Sequence, residues 1–98
     1  MTKADIINAV VQETGLVKKD VAVAVEATMK VIREAMCNDE NVYLRGFGTF
    51  VVKERAAKIA RDISKNVSIE VPAHKIPGFK PAKSFAEMMR GEEITSND

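Results

Sequence analysis

Apolar residues recur at helical spacing near the start of the chain and predict a first helix. Four of them share one stripe: Ile6, Ile7, Val10 and Val11. Thr2 and Asp5 have the spacing of a capping box, in which the Thr2 hydroxyl can accept a hydrogen bond from the backbone N–H near Asp5. Gly15 can adopt the left-handed conformation that ends helices. We therefore expect a helix over residues 3–14.

A second amphipathic pattern begins near Lys18 and predicts a helix that ends near Asn38. Its stripe consists of Val21, Val25, Thr28, Ile32 and Ala35, with Met29 and Met36 beside it. Val17 stands where a helix-capping Ser or Asp is preferred, and Lys18 and Lys19 oppose the helix dipole. Only Asp20 compensates, so the start of this helix is expected to be weakly capped.

The pattern then changes to a period of two, which indicates strands. Val42 and Leu44 alternate with Tyr43 and Arg45, and a second apolar run follows at residues 49–52. Gly46 and Gly48 between these runs can both take positive φ. Residues 42–52 are therefore predicted as a hairpin, with Phe47 and Phe50 in the core.

Residues 53–61 are ambiguous on their own, because their alanines suit a helix while Arg55, Ala57, Ile59 and Arg61 also share one side of a strand. The alternation at residues 67–71 and the turn composition of residues 62–66 favour a second, long hairpin over residues 53–75. Pro72 and Pro77 should confine its return strand to an edge or a bulge.

A short third helix and a tail complete the chain. Ser84 and Glu87 have the spacing of another capping box, and Gly91 can end the helix after about two turns. Residues 92–98 are predicted to be an acidic, disordered tail. Residues 1–91 would then form one domain.

Charge is unevenly distributed along the 98 residues, although the formal net charge is only +1. Residues 1–52 carry −1, residues 53–83 carry +5 and residues 84–98 carry −3. A clustered basic segment is typical of a protein that binds a polyanion such as nucleic acid. A solvated charged face is the alternative.

Cysteine and hydropathy patterns favour the reducing cytoplasm. Cys37 has no second cysteine for an internal disulfide, and we expect it to be a small buried apolar residue. The start of the chain does not run into the apolar stretch of a signal peptide, and the longest apolar run, residues 21–25, is far too short to span a bilayer. One histidine, His74, makes no metal site, and no cofactor is expected.

The long hairpin predicts an oligomer. If about 23 residues leave the core, roughly 75 must bury enough apolar surface alone, which is marginal for a small domain. The broad apolar stripes of the first two helices therefore favour an intertwined homodimer of the α+β class. An isolated hairpin of this length should become ordered on a ligand.

Several motifs resemble the bacterial histone-like HU and integration host factor family of DNA-bending proteins. The resemblance is ungapped over about residues 1–90 and is carried by Gly46-Phe47-Gly48-Thr49-Phe50, Glu54-Arg55-Ala56-Ala57, Arg61, Ile76-Pro77-Gly78-Phe79-Lys80 and Lys83. It implies a homodimer, or a heterodimer with a paralogue, with a helical base, an antiparallel β saddle and two arms that wrap the minor groove of double-stranded DNA.

The predicted arm tip departs from the family pattern. Ile63 replaces the family's wedge proline, and an apolar side chain at a turn tip suits insertion between base steps better than an ordinary loop role. Asp62 beside it would repel phosphate. The other predicted DNA-binding residues, beside Ile63, are Lys53, Arg55, Lys58, Arg61, Lys65, His74, Lys75, Lys80, Lys83, Ser84 and Lys3, with Lys18 as a further possibility.

These features favour a non-enzymatic architectural protein of the bacterial nucleoid. The alternatives are a site-specific DNA bender of the integration host factor type and a degenerate member that binds a protein partner. An enzyme is disfavoured, because no nucleophile and base, carboxylate pair or phosphate-binding loop stands at a suitable spacing. If half of the sixteen basic side chains of residues 53–83 in a dimer meet phosphates, log K should fall with log salt with a slope of about −7.

Overall fold

The computed structural model describes residues 1–62 and 67–91, and this part of the chain has an α+β fold, as predicted. Three helices and five strands are present in it. In chain order these elements are α1 (Lys3–Thr14), α2 (Lys18–Cys37), β1 (Val42–Leu44), β2 (Gly48–Arg55), β3 (Lys58–Asp62), β4 (Val67–Val71), β5 (His74–Pro81) and α3 (Lys83–Met89).

Helix α1 has the ends that its sequence predicts. The Thr2 hydroxyl accepts a hydrogen bond from the Asp5 backbone N–H at 3.2 Å, and the Asp5 carboxylate accepts one from the Thr2 N–H at 2.8 Å. Gly15 closes the helix at φ 72°. Helix α2 begins after Val17 without a side-chain cap, also as predicted. The two helices pack against each other, and their Ile7 and Val21 are the buried apolar residues of the described chain.

Three strands form an antiparallel sheet in the order β1-β2-β5. Phe50 lies on the central strand β2, where it pairs with Val42 of β1 on one side and with Phe79 of β5 on the other. Strand β5 is an edge of this sheet, which accommodates Pro77 as the sequence predicted.

Strands β3 and β4 form a separate two-stranded sheet, which we call the arm. Lys58 pairs with Val71 at its base, and Asp62 pairs with Val67 at the limit of the described residues. The two sheets are separated by residues 56–57 and 72–73, where Pro72 has no N–H to donate to a ladder. The predicted long hairpin is thus confirmed for the described residues, with a break between its root and its outer part.

Four phenylalanines connect the sheet to α3. The Phe79 ring lies 5.3 Å from the Phe47 ring and 5.0 Å from the Phe50 ring, and Phe47 stacks on Phe85 at 5.4 Å. Gly48 is buried beside this cluster, where a Cβ atom would approach Phe79 Cζ to 2.5 Å. Of the two hairpin glycines only Gly46 has positive φ, at 78°, so Gly48 is required by close packing and not by its backbone conformation.

Two local predictions were wrong. Helix α3 begins at Lys83 after Ala82 and has no side-chain cap, because Ser84 is buried within its first turn. Cys37, the last residue of α2, is exposed. Phe47 packs against Phe79 and Phe85 as a core residue would, but it is 47% exposed in a single chain.

Candidate nucleic-acid interface

Strand register gives the three-stranded sheet two chemically different faces. One face is apolar apart from the Glu54 and Lys75 pair, and it is directed toward α2, since Val52 and Pro77 line a common cavity with Met36 and Cys37 of that helix. The opposite face, which we call the outer face, bears the alternate positions. These are Tyr43, Thr49, Val51, Lys53, Arg55, His74, Ile76, Gly78 and Lys80.

The outer face is cationic. Lys53, Arg55 and Lys80 are exposed on it together with His74, and none of its nine positions holds an acid. Lys53 extends across Gly78, where an added Cβ would lie 2.7 Å from Lys53 Cε. An arrangement of positive side chains on an extended strand surface can neutralise successive phosphates of a duplex.

A groove continues this face toward α3. It is lined on one side by Tyr43 and Arg45 and on the other by Lys80 and Lys83, with Thr49 between Tyr43 and Lys80 in a single cross-strand row. Tyr43 is 74% exposed, so its ring and hydroxyl are both accessible to a ligand. The three cations of this groove, Arg45, Lys80 and Lys83, suit contacts to a sugar-phosphate backbone.

Two of the predicted DNA-binding lysines form ion pairs with the protein itself. Lys75 lies on the face directed toward α2 and pairs with Asp39, and Lys3 of α1 pairs with Glu26 of α2. The hydrogen bond that Lys75 Nζ donates to the Asp39 carboxylate raises the pKa of Lys75 above its ordinary value. The Lys3 ammonium lowers the pKa of Glu26, first through a hydrogen bond and then through its charge.

His74 and Ser84 are placed differently from one another. His74 is exposed at the start of β5, with Nδ1 3.0 Å from the Pro72 carbonyl oxygen. Ser84 is 6% exposed within the first turn of α3, and Lys83 beside it is the exposed residue at this end of the helix.

The arm carries the remaining predicted residues. Lys58 is exposed at its base, Arg61 pairs with Ser68 in the ladder, and Ile59 is 75% exposed. Ile63 and Lys65 lie outside the described residues.

Residues 1–62 and 67–91 contain no group of three or more His, Cys, Asp or Glu side chains that could hold a metal ion. None of the helices in this part of the chain is both long and apolar enough to cross a bilayer.

Residues 1–90 match the model of a family described as bacterial DNA-binding protein. The chain belongs to this family. Among curated members, it is 42% identical over 90 residues to DNA-binding protein HU of Geobacillus stearothermophilus, covering 92% of this chain and all of that protein. It is 40% identical to DNA-binding protein HU of Thermus thermophilus, covering 92% of this chain and 93% of that protein. The resemblance found in the sequence is confirmed.

Solved structures of the bacterial DNA-binding protein family share the fold. A cocrystal structure of Anabaena HU with DNA superposes with a TM-score of 0.86 at 32% identity, covering 91% of this chain and 97% of that one. A variant of Thermotoga maritima HU gives a TM-score of 0.70 at 29% identity, covering 91% of this chain and 99% of that one.

For this family member, the sequence-based prediction of site residues missed three side chains on the accessible sheet surface. Tyr43, Arg45 and Thr49 all contribute to the groove, but they lie outside the basic segment and the helix starts that supplied the predicted DNA-binding residues. The signal was present in the alternation of residues 42–45, which already separated Tyr43 and Arg45 from the apolar Val42 and Leu44.

Proposed function

We propose that this chain is a non-enzymatic architectural protein that binds double-stranded DNA as a homodimer and bends it. The outer face supports this proposal most directly, because it gathers exposed cations and no acid on one side of the sheet. The arm follows the arm-side ends of β2 and β5 along the chain, and Lys58 is exposed at its base. As a member of a bacterial DNA-binding family, the protein would act in the bacterial cytoplasm, on the nucleoid.

A homodimer is supported by how little apolar surface one chain covers. Leu44, Phe47 and Phe79 are 37%, 47% and 39% exposed, although they belong to the sheet and its aromatic cluster. Such side chains would normally lie in a core, and a second copy would remove them from water. Both copies would then present their outer faces and arms to one duplex.

Within this function, Lys53, Arg55, Lys58 and Lys80 are proposed as the principal contacts to the sugar-phosphate backbone, with His74 and Lys83 at the margins of the surface. Arg61 and Lys65 are proposed to extend this track along the arm. We also propose Ile63 as the apolar wedge that enters a base step. Residues 1–91 would constitute the DNA-binding domain, and residues 92–98 would lie outside it.

The proposal is tested by titrating end-labelled duplexes at several salt concentrations, with energy transfer between the ends as the measure of bending. Wild type should show a slope of log K against log salt of about −7, as expected for eight phosphate contacts per dimer. Ile63→Ala should still bind but lose most of the bending, because the wedge and not the charge is removed.

Lys80→Gln and Lys30→Gln form a matched pair for this experiment. Both remove one exposed charge per chain, but Lys80 is on the outer face and Lys30 is on α2 beside Glu34. Lys80→Gln should make the slope shallower by about 1.8 per dimer, whereas Lys30→Gln should leave it unchanged. A shallow wild-type slope without bending would overturn the proposed function.

A further inference from the structure

The turn that ends α2 is fixed to that helix by its own backbone. The Glu40 N–H donates to the Ala35 carbonyl and the Asp39 N–H to the Met36 carbonyl, each at 3.0 Å. This is the pattern of a Schellman motif, whose left-handed position glycine usually occupies. Here the position holds Asp39 at φ 65°. These hydrogen bonds hold the backbone that carries the Asp39 carboxylate against the end of α2.

Two side chains of this turn contact the two strands that lead to the arm. The Asp39 carboxylate accepts from Lys75 Nζ of β5, and Asn41 Oδ1 accepts from the Val52 N–H of β2 at 2.9 Å. We call residues 52–55 and 74–77 the arm root, since these paired segments precede the break at residues 56–57 and 72–73. One turn of the helical base thus holds both strands of the arm root.

Lys75 is poorly placed to contact phosphate. It lies on the sheet face opposite the outer face, and it is paired in register with a second acid, Glu54. Both Asp39 and Glu54 favour its charged form. Together the two carboxylates balance the charges of Lys75 and of Arg33, which lines the same cavity, so this part of the surface offers no net attraction to a polyanion.

We propose that Asp39 is a positioning residue for the arm: it holds Lys75 to the end of α2 and thereby sets the direction in which the arm root leaves the helical base. The inference deepens the proposed function, because the direction of the arm would determine how far the bound duplex bends. Lys75, in this assignment, acts on DNA only through the geometry of the arm.

The first test needs no DNA. Amide hydrogen exchange of the arm root is compared in wild type, Asp39→Asn, Lys75→Gln and the double variant. Each single variant should speed exchange at the arm root by about twofold to fivefold, the range of an exposed ion pair, and the double variant should add nothing further. Asn tolerates the left-handed conformation, so Asp39→Asn retains the backbone of the turn.

Glu40→Gln is the matched control. It removes the same charge from the adjacent residue of the same turn, but no hydrogen bond or ion pair joins Glu40's side chain to the arm root in the described contacts. Its exchange should equal that of wild type. At about 1 M salt the difference between wild type and Asp39→Asn should shrink, because exposed ion pairs are screened.

The second test measures DNA bending by energy transfer at saturating protein. Asp39→Asn and Lys75→Gln should both alter or broaden the distribution of transfer efficiencies, with the salt slope unchanged. The proposal is overturned if exchange at the arm root is unaffected. A second pair of results would also overturn it: Lys75→Gln makes the salt slope shallower by about 1.8 per dimer, and Asp39→Asn tightens DNA binding more than Glu40→Gln does. Lys75 would then be a phosphate contact.

The two tests separate the positioning role from the proposed function. If wild type neither binds nor bends DNA but the exchange differences are present, DNA bending is refuted and the Asp39 contact stands. If wild type bends DNA and the exchange of all variants is the same, the proposed function stands and the positioning role is refuted.

Discussion

Replacing Gly48 by alanine tests the packing that joins the sheet to α3. The added methyl group would lie 2.5 Å from Phe79 Cζ and 2.7 Å from the Lys80 carbonyl oxygen. Both distances are well below van der Waals contact. The backbone at Gly48 is an ordinary strand conformation, so alanine introduces no φ penalty and the whole effect is steric.

The cost should be large because neither neighbour moves easily. Phe79 contacts the rings of Phe47 and Phe50, and the Lys80 carbonyl belongs to the backbone of β5. Overpacking a site of this kind costs about 2–3 kcal/mol of unfolding free energy. Gly15→Ala is the comparison: it has positive φ but nothing within 4 Å of an added Cβ, so backbone strain alone should cost about 1 kcal/mol.

Urea unfolding at one fixed protein concentration measures both variants, since the stability of a dimer depends on concentration. In a Phe79→Leu background the cost of Gly48→Ala should fall by about 1 kcal/mol, because the ring is one of the two obstacles. A Gly48→Ala variant within about 0.5 kcal/mol of wild type would refute this account of the glycine.

Three further predictions concern the first helix, the dimer and the outer face. Hydrogen bonds from the Thr2 backbone and hydroxyl lower the pKa of Asp5. The stabilisation by the Asp5 carboxylate is therefore present above its ordinary pKa of about 3.9 and is lost as the pH falls through the lowered pKa of the folded protein. The difference in Tm between wild type and Asp5→Asn should vanish in acid, and a difference that stays constant with pH would contradict this prediction. Leu44→Lys places a charge where a second copy should pack, so sedimentation velocity should find more monomer than in wild type. Tyr43→Ala should weaken DNA binding without changing the salt slope, because the ring carries no charge; a change in slope would exclude that role.

Local elements were largely predictable from the sequence because their signals are local. The capping box of Thr2 and Asp5, the left-handed Gly15 and the uncapped Val17 depend on residues within one or two turns of each other. The hairpin over residues 42–52 follows equally from alternation and the intervening glycines. The predicted cap at Ser84 was wrong, because burial of this residue depends on parts of the fold that are distant in sequence. Ser84 lies buried inside a helix that begins one residue earlier, at Lys83.

The candidate site was predictable in composition and not in arrangement. The basic segment of residues 53–83 was evident from charge counting, but Lys53 and Lys75 were equivalent in that count. Strand register places Lys53 and Lys75 on opposite faces of one sheet, because successive side chains along a strand point to opposite faces. Only the partners across the fold show that Lys75 is paired with an acid at the end of α2.

Residue identity and short-range spacing were enough to predict the helices, the hairpins, the basic segment and the resemblance to a DNA-binding family. Long-range packing places selected cations together on the outer face, leaves no room for a side chain at Gly48, and brings Asp39 into contact with Lys75 across 36 positions of the chain. Such contacts join segments whose separation in sequence carries no information about their distance in space. They depend on the register and packing of the whole sheet against α2.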